Sequence, residues 1–268
     1  MSTVAPIRFG VRSLCAVLLV SAIGAMAFLW PLFADPGSDV VAHSGDAPWL
    51  FALLLPLMLA VVLATLADTG LGPKAVAMLG VLAAVGAALR PLGAGTAGIE
   101  PMFFLMVIAG RALGPGFGFT LGSLTMFASA LLTGGVGPWM PFQMLTMGWV
   151  TMGAGLLPRA AGRAELWLLA VYGALAGFAY GFVMNLWGWP VVTGQSTALS
   201  YVAGAPASEN LPRFLAYYVA TSLGWDFMRA AVTAALCLLL GRPVLKALRR
   251  ATRRAAFETQ VTFDAAGT

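Results

Sequence analysis

Long apolar stretches separated by short polar breaks dominate this chain. No charged residue occurs from Ser13 to Ala34, Ala47 to Ala67, Ala75 to Leu89, Ala112 to Pro158, or Leu166 to Ser208. A bilayer core takes roughly 20 mostly apolar residues per helix. The last two runs therefore hold more than one pass, or a pass plus an apolar loop. Turn residues divide them. Gly114-Pro115-Gly116 is one breaker, and Thr133-Gly134-Gly135-Val136-Gly137-Pro138 is another. Trp189-Pro190 opens a polar stretch, Thr193 to Arg213, that cannot span. The pattern predicts eight helices: 13–33, 48–67, 74–90, 99–113, 115–133, 138–158, 165–188 and 213–241. The fourth is short, since fifteen residues rise only about 22 Å.

Composition agrees with a polytopic all-α membrane bundle. Hydrophobic residues make up 60% of the 268 and charged residues 9%, against about 25% charged in soluble domains. A water-soluble globule, a disordered chain and a nucleic-acid binder are excluded. Two cysteines exclude a disulfide scaffold; Cys15 and Cys237 fall inside predicted helices and read as small packing residues.

The net charge of +5 carries topological information. Arg242, Lys246, Arg249, Arg250, Arg253 and Arg254 follow the last helix, and the positive-inside rule places them in the cytoplasm. Arg8 and Arg12 put the N-terminus there too. The first loop holds Asp35, Asp39, His43 and Asp46 with no Lys or Arg, so it is expected outside. Both termini inside require an even number of passes, which eight satisfies. The first apolar run exceeds a usual signal-peptide core and lacks an A-x-A site, so it reads as a retained span.

Small residues recur at helical spacing: Gly80, Ala84 and Ala88; Gly114, Gly118 and Gly122; Gly173, Gly177 and Gly181. Such stripes let helices approach closely in lipid. They serve internal packing or a docking face for another membrane subunit, and the helix over 74–90 is the stronger docking candidate. Within spans, Asp226 and Arg229 lie three apart and can pair; a structural ion pair is the favoured reading. Arg111 can snorkel to the interface.

The expected outer ends carry Arg90 and Glu100, bracketing the loop 91–99, with Trp139, Gln143, Asn185 and Trp187. Aromatics there suit an interfacial belt. Buried amides need partners, and amides beside aromatics suit a planar polar ligand. His43 without a Cys partner is no metal site, and no cofactor is expected. There is no P-loop and no H-E-x-x-H. A membrane enzyme would have only Asp226 and Glu100 to work with. Uphill transport would need energy from a partner.

From Lys74 onward the chain resembles the substrate-binding S components of energy-coupling factor (ECF) vitamin transporters. The resemblance lies in the Ala-rich helix 75–90. It continues in Ile99-Glu100-Pro101-Met102-Phe103-Phe104 running into Ile108-Ala109-Gly110-Arg111-Ala112-Leu113-Gly114-Pro115-Gly116-Phe117-Gly118. The stretch Gly134 to Met144, with Gly148-Trp149 and Gly153 to Pro158, extends it. It covers 74–241, six helices, and leaves 1–73 as an added N-terminal pair and 242–268 as a basic cytoplasmic tail. It implies capture of a vitamin from outside, then association with a membrane coupling subunit and two ATPase subunits. Ala77, Gly80, Ala84 and Ala88 would then form the docking face, and the loop 91–98 would help close the site. Arg90, Glu100, Trp139, Gln143, Asn185 and Trp187 would face the ligand. The Trp139-x-Pro141-Phe142-Gln143-Met144 segment resembles the cobalamin-type branch; riboflavin, queuosine-type bases and thiamine precursors are rival substrates. A subunit of a larger assembly with no ligand of its own is the rival of another class.

Overall fold

The computed structural model describes residues 10–33, 54–68, 73–93, 97–192 and 197–256. These form α1 (Val11–Phe33), α2 (Leu54–Asp68), α3 (Pro73–Leu89), α4 (Pro101–Leu113), α5 (Pro115–Thr133), α6 (Met140–Leu156), α7 (Gly162–Val192), α8 (Ala207–Thr221) and α9 (Leu223–Ala256). A 3-10 turn covers Pro91–Gly93. No strand occurs among the described residues. Among the described residues, five segments are long and apolar enough to cross a bilayer, namely Val11–Phe33, Pro73–Gly93, Pro115–Thr133, Gly162–Val191 and Leu223–Arg253. The chain is a multi-pass membrane helix bundle. The acidic loop with Asp35, Asp39, His43 and Asp46, the expected start of the second helix at 48–53, and residues 257–268 lie outside the described residues.

The surface is apolar where it meets lipid: Met26, Phe33, Leu175 and Leu239 are exposed, while Glu165, Asp226 and Arg229 are buried. That inversion of the soluble pattern follows from the solvent. Lipid tails accept Leu and Phe, whereas charges must be paired inside.

Helix α4 explains its own shortness. Met102 to Gly110 are all buried, and α4 packs against α3, α5, α6, α7 and α9. A helix enclosed by protein need not match the bilayer thickness. Proline opens it at Pro101 and opens α5 at Pro115, where a missing N–H costs nothing.

Two of the small-residue stripes are internal. A side chain at Gly118 or Gly122 would run into the α6 backbone at Thr151 or Met147, and one at Gly181 into the Asp226 carboxylate. The α3 stripe differs. Ala77, Gly80, Ala84 and Ala88 are exposed, while Leu79, Leu82, Ala83, Gly86 and Ala87 face the core.

The structure corrects the expected last helix. It is not one segment over 213–241 but two, with a break at Ser222. Ser222 leaves helical geometry, with φ −125°, and its carbonyl accepts the first bond of α9 from the Asp226 N–H, as serine commonly does at a helix start. Helix α9 then continues through Pro243 to Ala256, so the described basic residues ride on the helix itself. Arg111 does not snorkel. Its Nε donates to Glu165 at 2.8 Å and its Nη1 to the Leu157 carbonyl at 2.8 Å.

Helix α1 lies on α6, α7 and α8. The Trp149 indole donates to the Ser21 hydroxyl at 2.8 Å. Phe28 meets Phe142 edge-on at 5.0 Å, and Trp30 meets Tyr201 at 5.9 Å.

Candidate binding site

Glu100 precedes α4, Asp226 and Arg229 occupy the first two turns of α9, and Tyr218 ends α8. The break at Ser222 turns Tyr218 back onto α9, and these four side chains become one chain of hydrogen bonds. Arg229 Nε donates to Glu100 Oε2 at 2.6 Å. Its Nη1 donates to Asp226 Oδ1. The Tyr218 hydroxyl donates to Asp226 Oδ2 at 2.8 Å. The guanidinium also lies 5.1 Å from the Phe103 ring centroid and 5.4 Å from that of Tyr180. Asp226 and Arg229 are therefore an ion pair, as their spacing allows, and a third charge, Glu100, joins them from 129 residues away. An arginine between two carboxylates compensates charges that would otherwise be costly within a bundle.

This network borders a cavity of about 230 Å³. Helix α7 contributes Tyr180, Met184 and Asn185; the Ser222 break and α9 contribute Trp225, Asp226 and Arg229. Asn185 is held at both ends: its Nδ2 donates to the Gly181 carbonyl at 2.7 Å, and its Oδ1 accepts from the Ser222 hydroxyl at 2.7 Å. The lining combines aromatic faces with fixed polar groups, the composition of small-molecule sites.

Gly98 and Glu100, just before α4, pack against α9 beside this region. Gly98, at φ +93°, presses on the Trp225 backbone, where any side chain would overlap the Trp225 carbonyl. Only glycine combines that dihedral with so close an approach.

A second polar group stands nearby. Arg90, at the end of α3, donates from Nη1 to Ser129 Oγ at 2.7 Å and from Nη2 to Gln143 Oε1 at 3.1 Å. The 3-10 turn that follows Arg90 sets Gly93, whose N–H donates to the Arg90 carbonyl, against Ile99 and Glu100, so the two polar groups sit at the two ends of one connection.

Of the six expected ligand-facing residues, Asn185 lines the cavity, Glu100 joins it through Arg229, and Arg90 and Gln143 meet each other. Trp139 and Trp187 do not line it. Trp139 is exposed, with its indole bonded to the Gly135 carbonyl at 3.1 Å. Trp187 is buried against Phe142 at 4.6 Å, on the side that α1 covers. Tyr180, Met184 and Ser222, which line the cavity, and Tyr218, which bonds Asp226, were not among the expected residues. The favoured reading of Asp226 and Arg229 from sequence was a structural ion pair. One signal was available: Asp226 is the sole acid between Glu209 and Glu258.

At the opposite end of α4, α7 and α9 lies another cluster. Buried Glu165 accepts from Arg111 at 2.8 Å and from Arg249 at 3.0 and 2.6 Å. It ties together the ends of three helices.

A family model described as ECF transporter, substrate-specific component, matches residues 74–241. No curated protein and no solved structure matches the chain.

Proposed function

The chain belongs to the ECF transporter substrate-specific component family, and from that premise we propose that it captures a vitamin-class micronutrient in the cavity between α7 and α9. Family membership makes it a membrane component of uptake rather than an enzyme, working with a membrane subunit and ATPase subunits. The observation that carries the finer reading is the cavity itself. Within an apolar bundle, Asn185, Asp226 and Arg229 converge on one space beside Tyr180 and Trp225. Intramembrane ionisable groups at a cavity are functional candidates by default.

The size of the space bears on the substrate. At about 230 Å³ it suits a compact ring system as it stands. A corrin, to which the Trp139–Met144 segment points, would require Gly98 to move off Trp225.

Orientation has its own support. Arg242, Lys246, Arg249, Arg250 and Arg253 cluster toward the far end of α9 from the cavity. The positive-inside rule puts that end in the cytoplasm and the cavity outside. The exposed stripe Ala77, Gly80, Ala84 and Ala88 is the face we assign to the membrane coupling subunit.

Mass spectrometry of molecules released from gently purified protein tests the reading. A compact, ring-bearing vitamin is expected. A protein that emerges empty, and stays empty when offered a vitamin panel, overturns capture in favour of an assembly role.

A further inference from the structure

We infer that Arg90 and Gln143 form an anion subsite, which takes a carboxylate or phosphate group of the captured molecule. The inference rests on the capture reading and adds the charge class of its substrate.

Arg90 differs from the other described arginines. Arg111, Arg213, Arg229 and Arg249 each contact a carboxylate. Arg12, Arg159, Arg163, Arg242, Arg250 and Arg253 are exposed. Arg90 is partly buried, and among the described residues its guanidinium contacts only the neutral Ser129 and Gln143 side chains. Glu100 is the nearest acid in sequence, but Arg229 Nε holds it at 2.6 Å.

The donor count decides what the subsite wants. A guanidinium has five N–H groups and accepts nothing. Gln143 must therefore turn its oxygen to Arg90, which leaves its amide N–H groups as donors. No described residue accepts from them, and the remaining Arg90 N–H groups are likewise free of a carboxylate. Donors from α3 and α6 converge, and what they lack is an acceptor bearing negative charge. Planar, bidentate pairing with carboxylate or phosphate is what arginine provides best. Ser129 Oγ, 2.7 Å from Nη1, steadies the guanidinium from the α5 side.

The experiment uses matched acid and neutral probes: nicotinate with nicotinamide, biotin with biotin amide, pantothenate with panthenol, and pyridoxal 5′-phosphate with pyridoxal. Binding to the full-length protein in detergent is measured by native mass spectrometry and calorimetry, for wild type, R90K and R90Q. Molecules that copurify are identified alongside. The expected result is an acid-bearing molecule that copurifies or binds from the panel. R90Q should weaken it roughly 10- to 100-fold, as loss of charge-assisted bonds implies. R90K should lose less, and the neutral partner should not respond to R90Q. A neutral molecule bound with full affinity overturns the subsite while capture stands. A phospholipid adduct that R90Q removes assigns the anion to a headgroup and overturns the ligand subsite. A protein that binds no small molecule removes the capture reading and the subsite with it.

Discussion

Arg229 is the residue on which the site turns. Among the described residues it carries the only cation that meets both Glu100 and Asp226, and its face covers Phe103 and Tyr180. Replacing it by methionine preserves much of the packing but strands two carboxylates. Removing one partner of a buried pair costs about 3–5 kcal/mol, so Arg229→Met should lower the thermal midpoint in detergent markedly. The double variant Arg229→Met with Glu100→Gln should recover part of that loss. No recovery would mean that Glu100 contributes nothing to the network. Gly181→Ala makes a separate test, because its methyl would overlap the Asp226 carboxylate. Loss of binding together with a lowered thermal midpoint is expected, read by calorimetry on the copurified molecule and by thermal unfolding in detergent. Little of this was legible in the sequence. The spacing of Asp226 and Arg229 announced a pair. Nothing in it linked either residue to Glu100, because a contact across 129 positions leaves no local pattern.

At the scale of elements, α1 acts on the connection between α7 and α8 as well as on the core. Trp30 meets Tyr201 at 5.9 Å, Tyr201 meets Trp189 at 5.4 Å, and the Trp189 indole bonds the Leu199 carbonyl at 2.7 Å. Phe214 and Tyr218 continue the cluster toward Asp226. The N-terminal helix is thus a brace for the segment over 197–221. An aromatic pair contributes about 1 kcal/mol beyond its buried area. Trp30→Ala should therefore speed amide exchange in 197–206 roughly fivefold, as local opening free energies translate directly into exchange. Unchanged exchange would show that the loop holds itself. Most element positions followed from hydrophobic runs and from proline and glycine breaks. The division at Ser222 did not, since 213–241 reads as one amphipathic-to-apolar helix until tertiary contacts reward a bend. That bend lets Tyr218 reach Asp226 and lets Ser222 reach Asn185.

For the whole molecule, the three small-residue stripes part company. Those of α5 and α7 meet backbone or side chains of their neighbours, while a side chain at Gly80 would meet nothing within 4 Å. Gly80→Leu with Ala84→Leu should leave the thermal midpoint nearly unchanged, since leucine suits a lipid-exposed helix and is a better helix former than glycine. Co-purification with the coupling subunits should fall away. Retained association would move the docking face elsewhere on the bundle. By contrast, Gly122→Leu should prevent folding, because its side chain would enter the α6 backbone.

The sequence by itself determined that this is a helical membrane protein, roughly where its helices run, and which end carries the positive charge. Each of these depends on one-dimensional quantities, namely run length, breaker residues and charge balance. Tertiary structure alone decided which glycine stripe stays open, that Glu100 shares Arg229 with Asp226, and that Arg90 stands apart from every described carboxylate. Those outcomes depend on which helix faces which, and in lipid that choice is made by close packing and by the pairing of a few polar groups rather than by apolar burial. A hydrophobic pattern that is satisfied on every side records little of it.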